Sequence, residues 1–225
     1  MSSNLQPANL WIKICANTSF ADAQFAAEAG ADAVGFVFAP GPRRVTLTQA
    51  AAIVPHLPAA LEKIGVFVDA AFAEIAATVE ACSLTGVQLH FDAPPHLSAQ
   101  LRRRFGPSLR ILSVVHFNAS SLEQFANVAA DPNIDAILVD SRTPTAPGGT
   151  GLAFDWLAAK NLFQNAQMRK HLVIAGGLTP ANVAQAIATL HPWGVDVVSG
   201  VEAVPGTKDP AKVKAFIANA RLASR

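Results

Sequence analysis

Residues 172–209, LVIAGGLTPANVAQAIATLHPWGVDVVSGVEAVPGTKD, hold two units of one design. Each opens on an apolar run, LVIAGG at 172–177 and VDVVSG at 195–200, and each run breaks into glycine where a strand would end. Each is followed by a helical pattern, TPANVAQAIATL and then DPAKVKAFIANARLA. Glycines at a strand end let the backbone approach an anion closely, and helix-start amides turn partial positive charge toward it. Gly176, Gly177 and Gly200 therefore predict a phosphate site. The plainer alternative is that they only permit tight β/α turns.

Working outward, the same alternation fills the chain. LWIKICA (10–16), DAVGFVFA (32–39), KIGVFVD (63–69), GVQLH (86–90), LRILSVV (109–115) and DAILVD (135–140) precede the final two strands, making eight. SFADAQFAAEAG, LTQAAAIVPHL, AFAEIAATVEAC, HLSAQLRRRFG, SLEQFANVAA and DWLAAKNLF are the matching helical segments, several led by Ser, Thr or Asp as N-caps. The strands are runs of Val, Ile, Leu and Phe, as expected when both faces are covered. Eight β/α units predict an α/β fold: a single-domain (β/α)8 TIM barrel over 1–225, with 1–9 a flexible N-terminal extension. The rival is an open doubly wound sheet. It should carry GxGxxG after its first strand, whereas this first strand runs into CANTS and the glycines gather after strands seven and eight. Those are the phosphate positions of many such barrels. The Gly/Pro-rich SRTPTAPGGTGLAF (141–154) after the sixth strand reads as a loop over the catalytic face, long enough for a lid.

Composition narrows the class. With 17 Lys and Arg against 16 Asp and Glu, the formal charge is +1, which gives no electrostatic footprint for nucleic acid. The run Arg102, Arg103, Arg104 reads as a solvated helix face. The start MSSNLQPANLW lacks a signal-peptide pattern and no apolar run is long enough for a membrane span, so a soluble cytoplasmic protein is expected. Two cysteines, neither in a CxxC pair, and six scattered histidines predict reduced thiols and no metal site.

In a barrel, chemistry sits at the C-terminal strand ends. Cys15 ends the first strand and reads also as a small buried hydrophobe. Asp140 ends the sixth and reads also as a cap for the following loop. Arg43 and Arg44 follow the proline turn after the second strand; surface arginines there are usually solvated, unless a substrate brings a carboxylate.

KIC, AGADAVGFVFAP, GVFVD, VQLH, ILVDS with GGTGLAFDW, AGGLTPANV and VDVVSGVEAVPGTKD stand in this order from about residue 11 to 220, and together closely resemble phosphoribosylanthranilate isomerases. The resemblance implies an acid/base Amadori rearrangement in tryptophan biosynthesis, on a small phosphorylated substrate and without metal or redox cofactor. It implies Cys15 as general base, Asp140 as general acid, and Arg43 as partner of the anthranilate carboxylate. The backbone at Gly176, Gly177, Ser199 and Gly200 would hold the phosphate. This chain departs from the family pattern in four places. KICANTS has Ala16 and Asn17 where Gly and an apolar residue are usual. The turn before Arg43 is one residue short, which leaves Arg44 as its substitute. HFDA at 90–93 replaces HG[DEN]E, and Ser113 stands where a lysine is common. Another phosphosugar isomerase or epimerase on the same barrel, or a non-catalytic phosphate-ligand binder, are the competing readings. The cysteine argues against the first.

Overall fold

The computed structural model describes residues 10–90, 94–116, 121–140 and 170–224. The extension at 1–9, residues 91–93 of the HFDA segment, the loop at 141–154 and the helical pattern DWLAAKNLF lie outside the described residues. Eight parallel strands close into a barrel in chain order: β1 (Trp11–Ile14), β2 (Ala33–Val37), β3 (Glu62–Val68), β4 (Gly86–His90), β5 (Arg110–His116), β6 (Ala136–Asp140), β7 (His171–Ala175) and β8 (Gly194–Val197). Closure is made by β1 against β8, with Lys13 opposite Asp196 and Ile14 opposite Val197. The outer helices among the described residues are α1 (Phe20–Glu28), α2 (Leu47–Ile53), α3 (Phe72–Cys82), α4 (Pro95–Phe105), α5 (Ser121–Ala130), α6 (Val183–Leu190) and α7 (Pro210–Ala223).

Strand alternation divides the core in two. Trp11, Ile64, Leu112, Leu138 and Val173 pack inside the barrel. Their neighbours in sequence, such as Ile12, Ile111, Ile137 and Leu172, pack outward under the helices. This double burial is why the strands read as unbroken apolar runs. At the N-terminal end Trp193 stacks on Trp11 and His171 at ring-centroid distances of 5.2 and 4.4 Å, under the Arg110 guanidinium. Arg110 is in turn held by two hydrogen bonds, of 2.6 and 2.9 Å, to Glu62. The barrel is thus plugged below, leaving the opposite end for chemistry.

Caps fix the helix starts. The Ser19 hydroxyl accepts the Asp22 amide, Thr46 and Gln49 form a capping box, and Asp209 accepts two amides ahead of Pro210. One surface expectation is overturned. Arg102 is not part of a solvated face: it donates to the carbonyls of Gly106, Leu109 and Asn133 and pairs with Asp135 at 2.7 Å, tying α4 to the starts of β5 and β6. No helix among the described residues is long and apolar enough to cross a membrane.

Two boundaries near the glycines also differ from expectation. β7 stops at Ala175, and α6 begins only at Val183, because residues 178–182 form a turn in which Asn182 accepts the Thr179 amide and donates to the Gly177 carbonyl. The start of α6 therefore does not follow the glycine pair directly. β8 stops at Val197, and a short 3-10 turn, Ser199–Val201, leads into an unanticipated hairpin of β9 (Glu202–Val204) and β10 (Thr207–Lys208).

Candidate active site

On β1 the residues facing the barrel interior are Trp11 and Lys13, and Cys15 continues the same row one step past the strand. Cys15 is buried, with 2% of its surface exposed. Gly35 on β2 makes the space for it: a β-carbon there would lie 2.4 Å from the Cys15 Sγ and 3.0 Å from the Lys13 Cε. The sulfur and the lysine stem therefore flank one glycine notch. Immediately after Cys15 the chain turns at Ala16, whose φ of 61° is left-handed. A residue with a β-carbon pays about 1–2 kcal/mol in that region, which accounts for the glycine usual at this position. Asn17 then closes the turn, its side-chain amide donating to the carbonyls of Ile14 at 2.8 Å and Gly35 at 3.3 Å. Its Oδ1 is buried without a hydrogen-bond partner among the described residues.

Asp140 ends β6, in register with His116 of β5 and Ala175 of β7, and is 2% exposed. It shares the interior row of Ala136 and Leu138, so it faces the same interior as Cys15 from three strands away around the closed sheet. Ser113 belongs to the opposite row, with Ile111 and Val115 under the helices, so the missing lysine there removes nothing from the barrel interior.

Arg43 lies in the loop after β2 and reaches across the rim to β9. Its Nε and Nη2 donate to the Glu202 carboxylate at 2.8 and 2.7 Å, while Arg44 beside it is exposed. A carboxylate arriving at this rim meets a guanidinium already oriented by Glu202. Burial pushes Glu202 upward. The hydrogen bonds from Arg43, the nearby Lys208 ammonium and the Gly206 amide outweigh it and hold the carboxyl below its usual range.

Gly176 and Gly177 have φ of 79° and 65°, a backbone that side chains rarely adopt. Gly200 is glycine for another reason. A β-carbon there would sit 1.9 Å from the Leu178 carbonyl oxygen, so the turns after β7 and β8 touch at this point. Ser199 is exposed on the same turn. The four residues thus lie on two adjoining turns at the C-terminal mouth.

Five charged or polar groups that sequence reasoning did not single out complete the region. Lys13, fully buried, places its Nζ 2.9 Å from Asp196 Oδ1 and 2.6 Å from Gln88 Oε1. Lys208 is almost fully buried 3.6 Å from Glu202. The signal was present: a lysine inside WIKICA and an aspartate inside VDVV are charges in apolar strands, which survive only when paired. Burial pushes the Cys15 thiol up and Asp196 adds to this, while the Lys13 and Lys208 ammoniums draw it back. The net shift is upward, and the two cations are the groups that favour thiolate. Among the described residues no cluster of His, Cys, Asp and Glu could hold a metal ion.

Comparisons with known proteins agree with the barrel fold. The family model for N-(5'-phosphoribosyl)anthranilate (PRA) isomerase matches residues 12–219. The N-(5'-phosphoribosyl)anthranilate isomerase of Pelobacter propionicus is 44% identical over 92% of this chain and 93% of its own length. The enzyme of that name from Geobacter sulfurreducens is 42% identical over 93% and 98%. The crystal structure of phosphoribosyl anthranilate isomerase from Thermotoga maritima superposes with a TM-score of 0.84 at 36% identity, covering 94% of this chain and 98% of that one. A further crystal structure, of the isomerase in complex with reduced 1-(o-carboxyphenylamino)-1-deoxyribulose 5-phosphate, gives 0.80 at 35% identity over the same shares. The chain belongs to the N-(5'-phosphoribosyl)anthranilate isomerase family.

Proposed function

We propose that this isomerase converts N-(5-phosphoribosyl)anthranilate to 1-(2-carboxyphenylamino)-1-deoxyribulose 5-phosphate, with Cys15 as general base and Asp140 as general acid. The observation that carries the reading is the pair of proton-transfer groups at the ends of β1 and β6, facing one barrel interior beside the two glycine turns.

Asp140 protonates the furanose oxygen as the C1–O bond breaks, and the nitrogen lone pair forms an iminium with C1. That iminium acidifies the C2 proton. The Cys15 thiolate removes it, the C2–H electron pair becomes the C1–C2 double bond, and the resulting enolamine tautomerises to the ketone. Protons pass between substrate and enzyme, and the electrons shift only between C1 and C2 of one substrate, so the chemistry calls for no redox partner. Gly176, Gly177, Ser199 and Gly200 hold the phosphate by backbone amides, supported by the left-handed φ at the glycine pair. Arg43, oriented by Glu202 through Nε and Nη2, receives the anthranilate carboxylate at the other edge of its guanidinium, formed by Nη1 and Nη2. A cytoplasmic location is the reading that fits this chemistry.

Cys15→Ser and Asp140→Asn test the assignment. Each is expected to lower kcat by about 10²- to 10⁴-fold, the range of general acid/base catalysis, with affinity for the product changed far less. Near-normal kcat in either variant removes that residue from its role.

A further inference from the structure

Lys13 is a fully buried charge that the reaction scheme above does not use. Its Nζ sits among Asp196 and Gln88, and Gln88 continues by its Nε2 to His90 Nε2 at 3.0 Å. The layer directly below is filled by apolar side chains such as Trp11, Ile64 and Leu112. Stability gives no reason for the change, because a buried ion pair replaced by well-packed apolar residues is often neutral or more stable. Proximity to the sulfur does give one. Lys13 precedes Cys15 by two residues on the interior row, and the two side chains share the notch at Gly35.

We propose that Lys13 is a positioning residue for catalysis: its ammonium, fixed by Asp196 and Gln88, is the counter-cation that lets Cys15 act as a thiolate in a dry site. The proposal rests on the reading of Cys15 as the base. The charged and titratable groups around the sulfur come from every side. Lys13 lies on its own strand, Asp196 on β8 and Lys208 on β10 with Glu202 and Arg43 behind it; His90, His116 and Asp140 end β4, β5 and β6. β2 contributes only the glycine notch. The Lys13 cation is the largest influence favouring thiolate, ahead of Lys208, and it works against both burial and the Asp196 carboxylate. Asp196 and Gln88 anchor the ammonium in place, and without them an unpaired lysine at that depth would shed its proton.

The test is the pH titration of the Cys15 thiolate by ultraviolet absorbance, taken as the difference between each protein and its Cys15→Ser counterpart, beside the pH profile of kcat/KM. Lys13→Met is expected to move the thiolate midpoint and the acid limb of the profile upward together by about one to three pH units. Activity near neutral pH then falls about tenfold or more and returns as the pH rises. Lys13→Met strands the Asp196 carboxylate and so can fail to fold. The double variant Lys13→Met with Asp196→Asn leaves no unpaired buried charge, and is expected to keep an upward shift smaller than that of the single variant, because the carboxylate that opposes the thiolate leaves with the cation. A double variant with the parent's titration and profile would show the pair to be structural and overturn the proposal. If instead Cys15→Ser itself retains full activity, the base assignment fails, and the absorbance titration still reports whether Lys13 governs the thiolate.

Discussion

Gly35→Ala places one methyl group against the proposed base and the stem of Lys13. The added carbon would lie 2.4 Å from Cys15 Sγ, 3.0 Å from Lys13 Cε and 3.1 Å from Cys15 Cα. Ordinary contact begins near 3.4 Å, so the sulfur must retreat by roughly 1 Å or the strand backbone must shift. Neither retreat is easy: Cys15 is buried, and its amide is bonded to the Val197 carbonyl at 2.9 Å. Overpacking of this kind costs about 1–3 kcal/mol, which lowers Tm by roughly 2–12 °C in a domain of this size. A misplacement of about 1 Å at the reacting group costs on the order of 10²-fold in kcat. Calorimetry and steady-state turnover on the same preparation give both numbers. A Gly35→Ala protein with parental Tm and parental kcat would refute the argument that this notch positions the sulfur.

Arg43→Ala should raise KM for the anthranilate-bearing substrate and weaken its competitive product analogues far more than it weakens inorganic phosphate. Arg44→Ala should do little, since that residue is exposed; the opposite ranking would shift the carboxylate contact to Arg44. Glu202 titrates below the ordinary 4.5 in the folded protein, so its stabilisation is complete above that value and is lost as the pH falls through the lowered one. Glu202→Gln should therefore lower Tm at neutral pH, with the difference from the parent shrinking toward zero in acid; a gap that is constant with pH would contradict the ion-pair origin.

The barrel was legible because both its signals are local. Apolar runs of four to seven residues separated by amphipathic segments write out β/α units one at a time, and double burial of the sheet keeps those runs unbroken. The strand-end residues Cys15 and Asp140 followed from the same reading, since a barrel presents its strand ends at one face. What sequence did not convey depends on contacts between distant segments. Arg43 and Glu202 are 159 positions apart, and Lys13 and Asp196 are 183 apart, so neither pairing has a local signature. The hairpin of β9 and β10 was hidden because VEAVPGTKD has the composition of an ordinary loop, although it supplies Glu202 and Lys208 to the mouth. Gly200 illustrates a right residue with a different reason. It was singled out for its closeness to an anion, and its missing β-carbon is demanded by the Leu178 carbonyl. Arg102 shows the converse, a residue in a charged run that turns out to bond three backbone carbonyls.

The most direct measurement is product formation by the purified wild-type protein from freshly prepared N-(5-phosphoribosyl)anthranilate, run beside the aminoaldose substrate of the analogous isomerisation in histidine biosynthesis. The account predicts rapid conversion of the first to the 1-deoxyribulose phosphate, and little or no conversion of the second. A folded protein that binds phosphate yet converts neither, or that converts the aminoaldose in preference, would contradict it.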